Sequence, residues 1–109
     1  MINVIYSEIV ESYLKTLTII LAQNAYFGDK EFAKKYVTDL IYNIETKIGY
    51  TVKRPVPKQY SYYQKNLQYI TYKRNKQTSW YILFIQQQDR YLITHITNNY
   101  DPNFTTILK

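Results

Sequence analysis

The sequence predicts an α+β fold: an N-terminal strand, an antiparallel two-helix hairpin, and a C-terminal three-stranded antiparallel meander forming one sheet with the first strand. Three observations predict it. Apolar residues recur at helical spacing from Val10 to Leu21 and again from Phe32 to Ile48. The runs "LQYITYKR", "WYILFIQQ" and "RYLITHIT" are rich in branched and aromatic residues, as strands are. The joints between those runs, "NKQTS" and little more than "QD", are short enough for antiparallel hairpins. The 109 residues make one domain, 1–109, and are too few for two.

Each element has a local reason. "INVIY" alternates and is β-branched, which suits a short first strand. Ser7 can cap the helix that follows, and Glu8 and Glu11 carry the right sign for its first turn. Its apolar stripe is Val10, Tyr13, Leu14, Leu17 and Leu21, and it breaks near "AYFGD". Asp29 is a cap for the second helix, whose stripe is Phe32, Ala33, Tyr36, Val37, Leu40, Ile41, Ile44 and Ile48. Gly49 stands where a C-terminal glycine belongs. Two prolines in "YTVKRPVPKQYSYYQKN" argue for an irregular, exposed connection. The middle strand of the meander is apolar on both faces. Trp80, Ile82 and Phe84 lie on one and Tyr81, Leu83 and Ile85 on the other, so one face covers the helices and the other meets something else, such as a partner chain. Asp101-Pro102 marks a turn into a short tail.

Composition narrows the class of function. There is no cysteine, hence no disulfide framework and no thiolate metal site, which fits a reducing cytoplasm. "MINVIYSEIV" lacks the basic and apolar regions of a signal peptide, and no apolar run reaches the length of a membrane span. A cytoplasmic protein that spans no membrane is expected. No Gly-rich phosphate loop, Ser-His-Asp set or paired carboxylate in the basic half is present, and no cofactor is expected.

The net charge is +6, and its distribution is uneven. Residues 1 to 45 carry Glu8, Glu11, Asp29, Glu31, Asp39 and Glu45 against four bases, a net of −2. From Thr46 to Gln88 there is no acid. That stretch holds Lys47, Lys53, Arg54, Lys58, Lys65, Lys73, Arg74 and Lys76, a net of +8. Such a body is the footprint of a polyanion-binding surface. Lys53, Arg54, Lys58 and Lys65 interleave with Tyr50, Tyr60, Tyr62 and Tyr63. Cations for phosphates beside rings for exposed bases is the composition that single-stranded RNA recognition uses.

The order of elements and three segments together resemble the RelE/ParE superfamily of bacterial toxins. The segments are "YFGDKEFAKKYVTDLIYNIETKIG" for the second helix, "YKRNKQTSWYILF" for the first C-terminal hairpin and "RYLITHITNNY" for the last strand. The resemblance covers nearly the whole chain and rests on apolar and basic positions. It implies the toxin of a toxin–antitoxin system, of the kind that stabilises plasmids, silenced by a cognate antitoxin protein. Two activities occur in that family: ribosome-dependent, metal-independent endoribonuclease action on mRNA, and inhibition of DNA gyrase by binding.

For the first activity, the resemblance puts Lys73 and Arg74 at basic positions on the phosphate and Tyr100 at the aromatic position after the last strand. His95 lies nearby, the only histidine and the residue whose ordinary pKa suits proton transfer. Metal-free cleavage needs a base for the 2′-OH, cations for the charged phosphorane and an acid for the leaving oxygen. Lys53, Arg54, Lys58, Lys65 and Lys76 would hold ribosomal or messenger RNA. Lys73 and Arg74 are adjacent, so at most one shares a face with His95; His95 itself alternates with Tyr91 and Ile93. The chain departs from the family RNases in two places. "SWYILF" has no cation where many carry arginine, and "ITNNYD" replaces a Gly-His-Arg-like ending. Both departures suit the gyrase-binding alternative, or a degenerate toxin that retains only antitoxin binding.

Overall fold

The computed structural model describes residues 2–23, 30–56 and 66–100. Its elements run β1 (Asn3–Tyr6), α1 (Glu8–Gln23), α2 (Lys30–Lys47), β2 (Arg54–Pro55), β3 (Gln68–Lys73), β4 (Ser79–Gln87) and β5 (Arg90–Asn98). The fold is α+β, with a mixed five-stranded sheet in the order β1-β5-β4-β3-β2. The strand β1 runs parallel to β5, and the other pairs are antiparallel.

Ser7 opens α1 as its pattern predicts. Its hydroxyl accepts a hydrogen bond from the Val10 amide at 3.2 Å, and its carbonyl accepts one from the Glu11 amide at 2.9 Å. The Lys47 carbonyl closes α2 by accepting from the amides of Tyr50 and Thr51 and from the Thr51 hydroxyl. Gly49 does not take the left-handed conformation of a C-terminal glycine; a Cβ there would meet Cδ1 of Ile2, the far end of an exposed side chain that can turn aside. Asp29, the break at "AYFGD" and the Asp101-Pro102 turn lie outside the described residues.

The helices cover one face of the sheet. Val10, Leu14 and Leu17 of α1 and Val37, Leu40 and Ile44 of α2 form one core with Ile70, Trp80, Ile82, Phe84, Tyr91, Ile93 and Ile96. Phe32, predicted in the stripe of α2, is 61% exposed instead. A second cluster lies on the opposite face: Val56, Leu67, Tyr69 and Leu83, with Tyr81 and Ile85 against it. The doubly apolar β4 is thus explained within the chain, and Leu83 is covered by the chain's own residues. Tyr6 of β1 donates a hydrogen bond to Glu45 of α2 at 3.0 Å, and burial, then that bond, pushes its phenol well above the usual tyrosine range.

Two features correct the sequence reading. The connection after α2 is not irregular throughout, because Arg54 and Pro55 pair with Tyr69 and Gln68 as a fifth, edge strand. Proline is compatible with that place, since an edge leaves its nitrogen no ladder partner to lose. Second, β5 carries a bulge. Leu83 pairs with His95 while the next residue of β4, Phe84, pairs with Ile93, so Thr94 is the extra residue. Its hydroxyl donates to the Leu83 carbonyl at 3.3 Å. The bulge shifts the alternation by one. His95 therefore does not share a face with Tyr91 and Ile93. It shares one with Leu83, and Ile96 takes the inward place beside Ile82.

Candidate nucleic-acid interface

Register decides which basic and aromatic residues can act together. Tyr69, Thr71 and Lys73 alternate along β3, opposite Leu83, Tyr81 and Ser79 of β4. Arg54 is paired with Tyr69, and His95 and Thr97 are paired with Leu83 and Tyr81. Partners directly opposite in a sheet present side chains on the same face. The face away from the helices therefore carries Arg54, Lys73, Tyr69, Tyr81 and His95. Without the bulge at Thr94, His95 would sit among the core residues.

Three other cations, Arg74, Lys47 and Lys53, rest on aromatic rings of the helix-side core. Arg74 lies with its guanidinium carbon 4.1 Å from the Tyr36 ring centroid and Nη2 3.7 Å from Asp39 Oδ2. Tyr36 in turn accepts a hydrogen bond from the Trp80 indole at 3.2 Å. Lys47 lies over the Tyr72 ring at 5.4 Å and Lys53 over the Tyr91 ring at 5.8 Å. Such contacts hold a cation against the protein instead of offering it to a ligand. Arg54, Lys73 and Lys76 make no ion pair among the described residues, and all three are exposed. Lys58 and Lys65 lie outside the described residues, as do Tyr60, Tyr62 and Tyr63.

Lys73 and Tyr100 belong to the same end of the sheet. Lys73 pairs with Ser79, whose carbonyl accepts the Asn99 amide at 3.1 Å. The Asn99 side chain completes the joint: its Oδ1 accepts the Ser79 amide at 2.9 Å and its Nδ2 donates to the Gln77 carbonyl at 2.9 Å. Asn98 Oδ1 accepts the Tyr100 amide at 2.9 Å. The tyrosine is thus presented, 65% exposed, two strands away from Lys73, about 10 Å between backbones. Only the long-range pairing shows that Asn99 clamps the Tyr100 end of β5 to the basic β3–β4 turn.

His95 shares the face but not the place. It lies four residues of β4 away from the Lys73 row, about 13 Å along the strand. Its row is Arg54, Tyr69, Leu83 and His95. Burial holds its pKa below the ordinary histidine value, so it is neutral at pH 7. Nδ1 lies 3.1 Å from the Thr94 hydroxyl. With the hydroxyl donating to the Leu83 carbonyl, it would accept from Nδ1–H, the tautomer that puts the ring lone pair on Nε2.

Among the described residues no three His, Cys, Asp or Glu side chains gather as a metal-ligand set. Likewise, no described helix is long and apolar enough to cross a membrane. No protein-family model, curated protein or solved structure matches the chain.

Proposed function

We propose that this chain is the toxin of a toxin–antitoxin pair of RelE/ParE type, acting as a ribosome-dependent, metal-independent mRNA endoribonuclease in the cytoplasm. The observation that carries the reading is the sheet end where Asn99, bonded to Ser79 and Gln77, holds the exposed Tyr100 at the end of β5 next to the turn that follows Lys73 and carries Lys76. Lys73 stabilises the scissile phosphate, and Lys76 holds the flanking backbone. Tyr100 serves as the acid that protonates the leaving oxygen. Arg74, engaged by Asp39 and Tyr36, holds the basic turn in position instead of gripping the phosphate. The attacking 2′-OH gives its proton to water, because His95, the neutral imidazole of this face, is displaced about 13 Å along the strand. The antitoxin would silence the protein by covering this face.

A second reading, gyrase inhibition by binding, has one observation in its favour. The described strand cations of β3–β5 on the helix-free face are Lys73 and Arg90, and Arg90, paired with Gln87, stands at the opposite end of β4 from Ser79 and Lys73, a thin set for stabilising a phosphorane. Induced expression in a bacterial host separates the two readings. The endoribonuclease halts protein synthesis first and leaves cut messages whose ends map to codon boundaries. A gyrase inhibitor leaves messages intact and relaxes plasmid supercoils first. Absence of growth arrest would remove both readings and leave antitoxin binding alone.

A further inference from the structure

The edge of the sheet holds a groove apart from the Lys73–Tyr100 end. It is lined by Thr51, Val52, Arg54, Tyr69, Thr71 and Tyr81. Its volume, about 410 Å³, is in the range of small-ligand sites. Three of its features are unusual together. Arg54 is exposed and makes no ion pair among the described residues. Tyr69 is buried and meets Tyr81 edge-on, with centroids 6.3 Å apart at 67°. That contact fixes the ring plane of the half-exposed Tyr81. Val52 stands 72% exposed at the rim, an apolar side chain with no core to join.

We propose that this groove is a nucleotide subsite for single-stranded RNA, with the phosphate on Arg54 and the base against Tyr81 and Val52. The inference deepens the endoribonuclease reading and rests on it for the identity of the polymer. The chemistry chooses RNA over a peptide. A fixed ring, a fork of guanidinium donors and an exposed hydroxyl on Thr71 match a base, a phosphate and a ribose hydroxyl. Arg54 lies opposite Tyr69, four residues along β3 from Lys73, about 13 Å away. This is more than one nucleotide step of an extended strand. The groove would therefore hold a neighbour of the cleaved residues and fix the reading position of the message, without touching the scissile bond.

The test is binding of a short, labelled, uridine-rich single-stranded RNA to the full chain, followed by fluorescence anisotropy. Arg54→Ala and Tyr81→Leu are compared with wild type and with Lys34→Ala on the far side of α2. Arg54→Ala should weaken binding about tenfold and lower the salt slope by about 0.7. Tyr81→Leu should weaken it about fivefold or more, with little change in slope. Arg54 is exposed, so its variant keeps the fold, and an unchanged melting curve confirms this. Wild-type affinity in both variants would overturn the proposal. So would an Arg54-dependent affinity for an acidic peptide with none for RNA. Ribosomal cleavage that persists while Arg54→Ala binds RNA normally would remove the subsite and leave the endoribonuclease reading standing. Arg54-dependent RNA binding without cleavage would do the reverse.

Discussion

Arg74 stacks on Tyr36 across thirty-eight residues of sequence, 4.1 Å from guanidinium carbon to ring centroid, while Asp39 flanks it at 3.7 Å. This contact ties the end of β3 to α2 and closes the helix side of the basic turn. The Arg74 side chain is 20% exposed, so the stack lies at the better-shielded end of the surface range. Arg74→Ala should lower stability by about 1–2 kcal/mol in urea unfolding. Arg74→Lys should recover less than half of this, because an ammonium has no plane to stack. Cleavage per folded molecule should change little. A variant of full stability and no activity would return Arg74 to the phosphate.

The helices were legible because their signals are local. Ser7 and its two following acids mark the start of α1, and Ala33, Val37, Leu40 and Ile44 repeat as a stripe. The three long strands were legible for the same reason. Thr94 was not, since "ITHIT" reads as regular alternation and a bulge exists only relative to a partner strand. Nor was β2 visible, as two residues with a proline make no pattern. The fate of the cations was hidden too. Lys47, Lys53 and Arg74 meet rings far along the chain, so charge runs alone could not separate them from Arg54 and Lys73.

The bulge gives a direct prediction. Thr94→Val removes the donor to the Leu83 carbonyl and the acceptor for His95 Nδ1. Thermal unfolding should show a loss of about 1 kcal/mol. Imidazole nitrogen shifts in NMR should show that the proton leaves Nδ1. An unchanged tautomer would contradict the hydrogen-bond assignment.

His95 also sets a pH dependence. Its folded pKa lies below the ordinary value of about 6.5, so the unfolded chain takes the proton more readily. Its neutral form costs the fold nothing above that pH. Stability should fall as pH drops below about 6.5 toward the lowered folded value. His95→Gln should flatten this limb of the stability–pH curve and leave the alkaline side unchanged. An unaltered acid limb in the variant would show that another group is responsible.

Phe84 tests the division of the sheet into two apolar faces. It is fully buried between Tyr91 and the helix-side core, with ring centroids 5.6 Å apart. Phe84→Ala should cost about 3–5 kcal/mol. Leu83→Ala, on the opposite face in the smaller cluster, should cost less, about 2–3 kcal/mol. Equal losses in denaturant titrations would mean that the second cluster is as tightly packed as the first.

We propose that Lys73 and Tyr100, at the sheet end that Asn99 joins to Ser79 and Gln77, cut messenger RNA. The most direct test is primer extension on message bound to programmed ribosomes, using purified wild type, Lys73→Ala and Tyr100→Phe, with chelator present. Wild type should cut within the A-site codon, undiminished by chelator. Both variants should cut at least a hundredfold more slowly, in the range typical of lost acid–base or electrostatic groups. Intact message with wild type, or undiminished cutting by both variants, would contradict it.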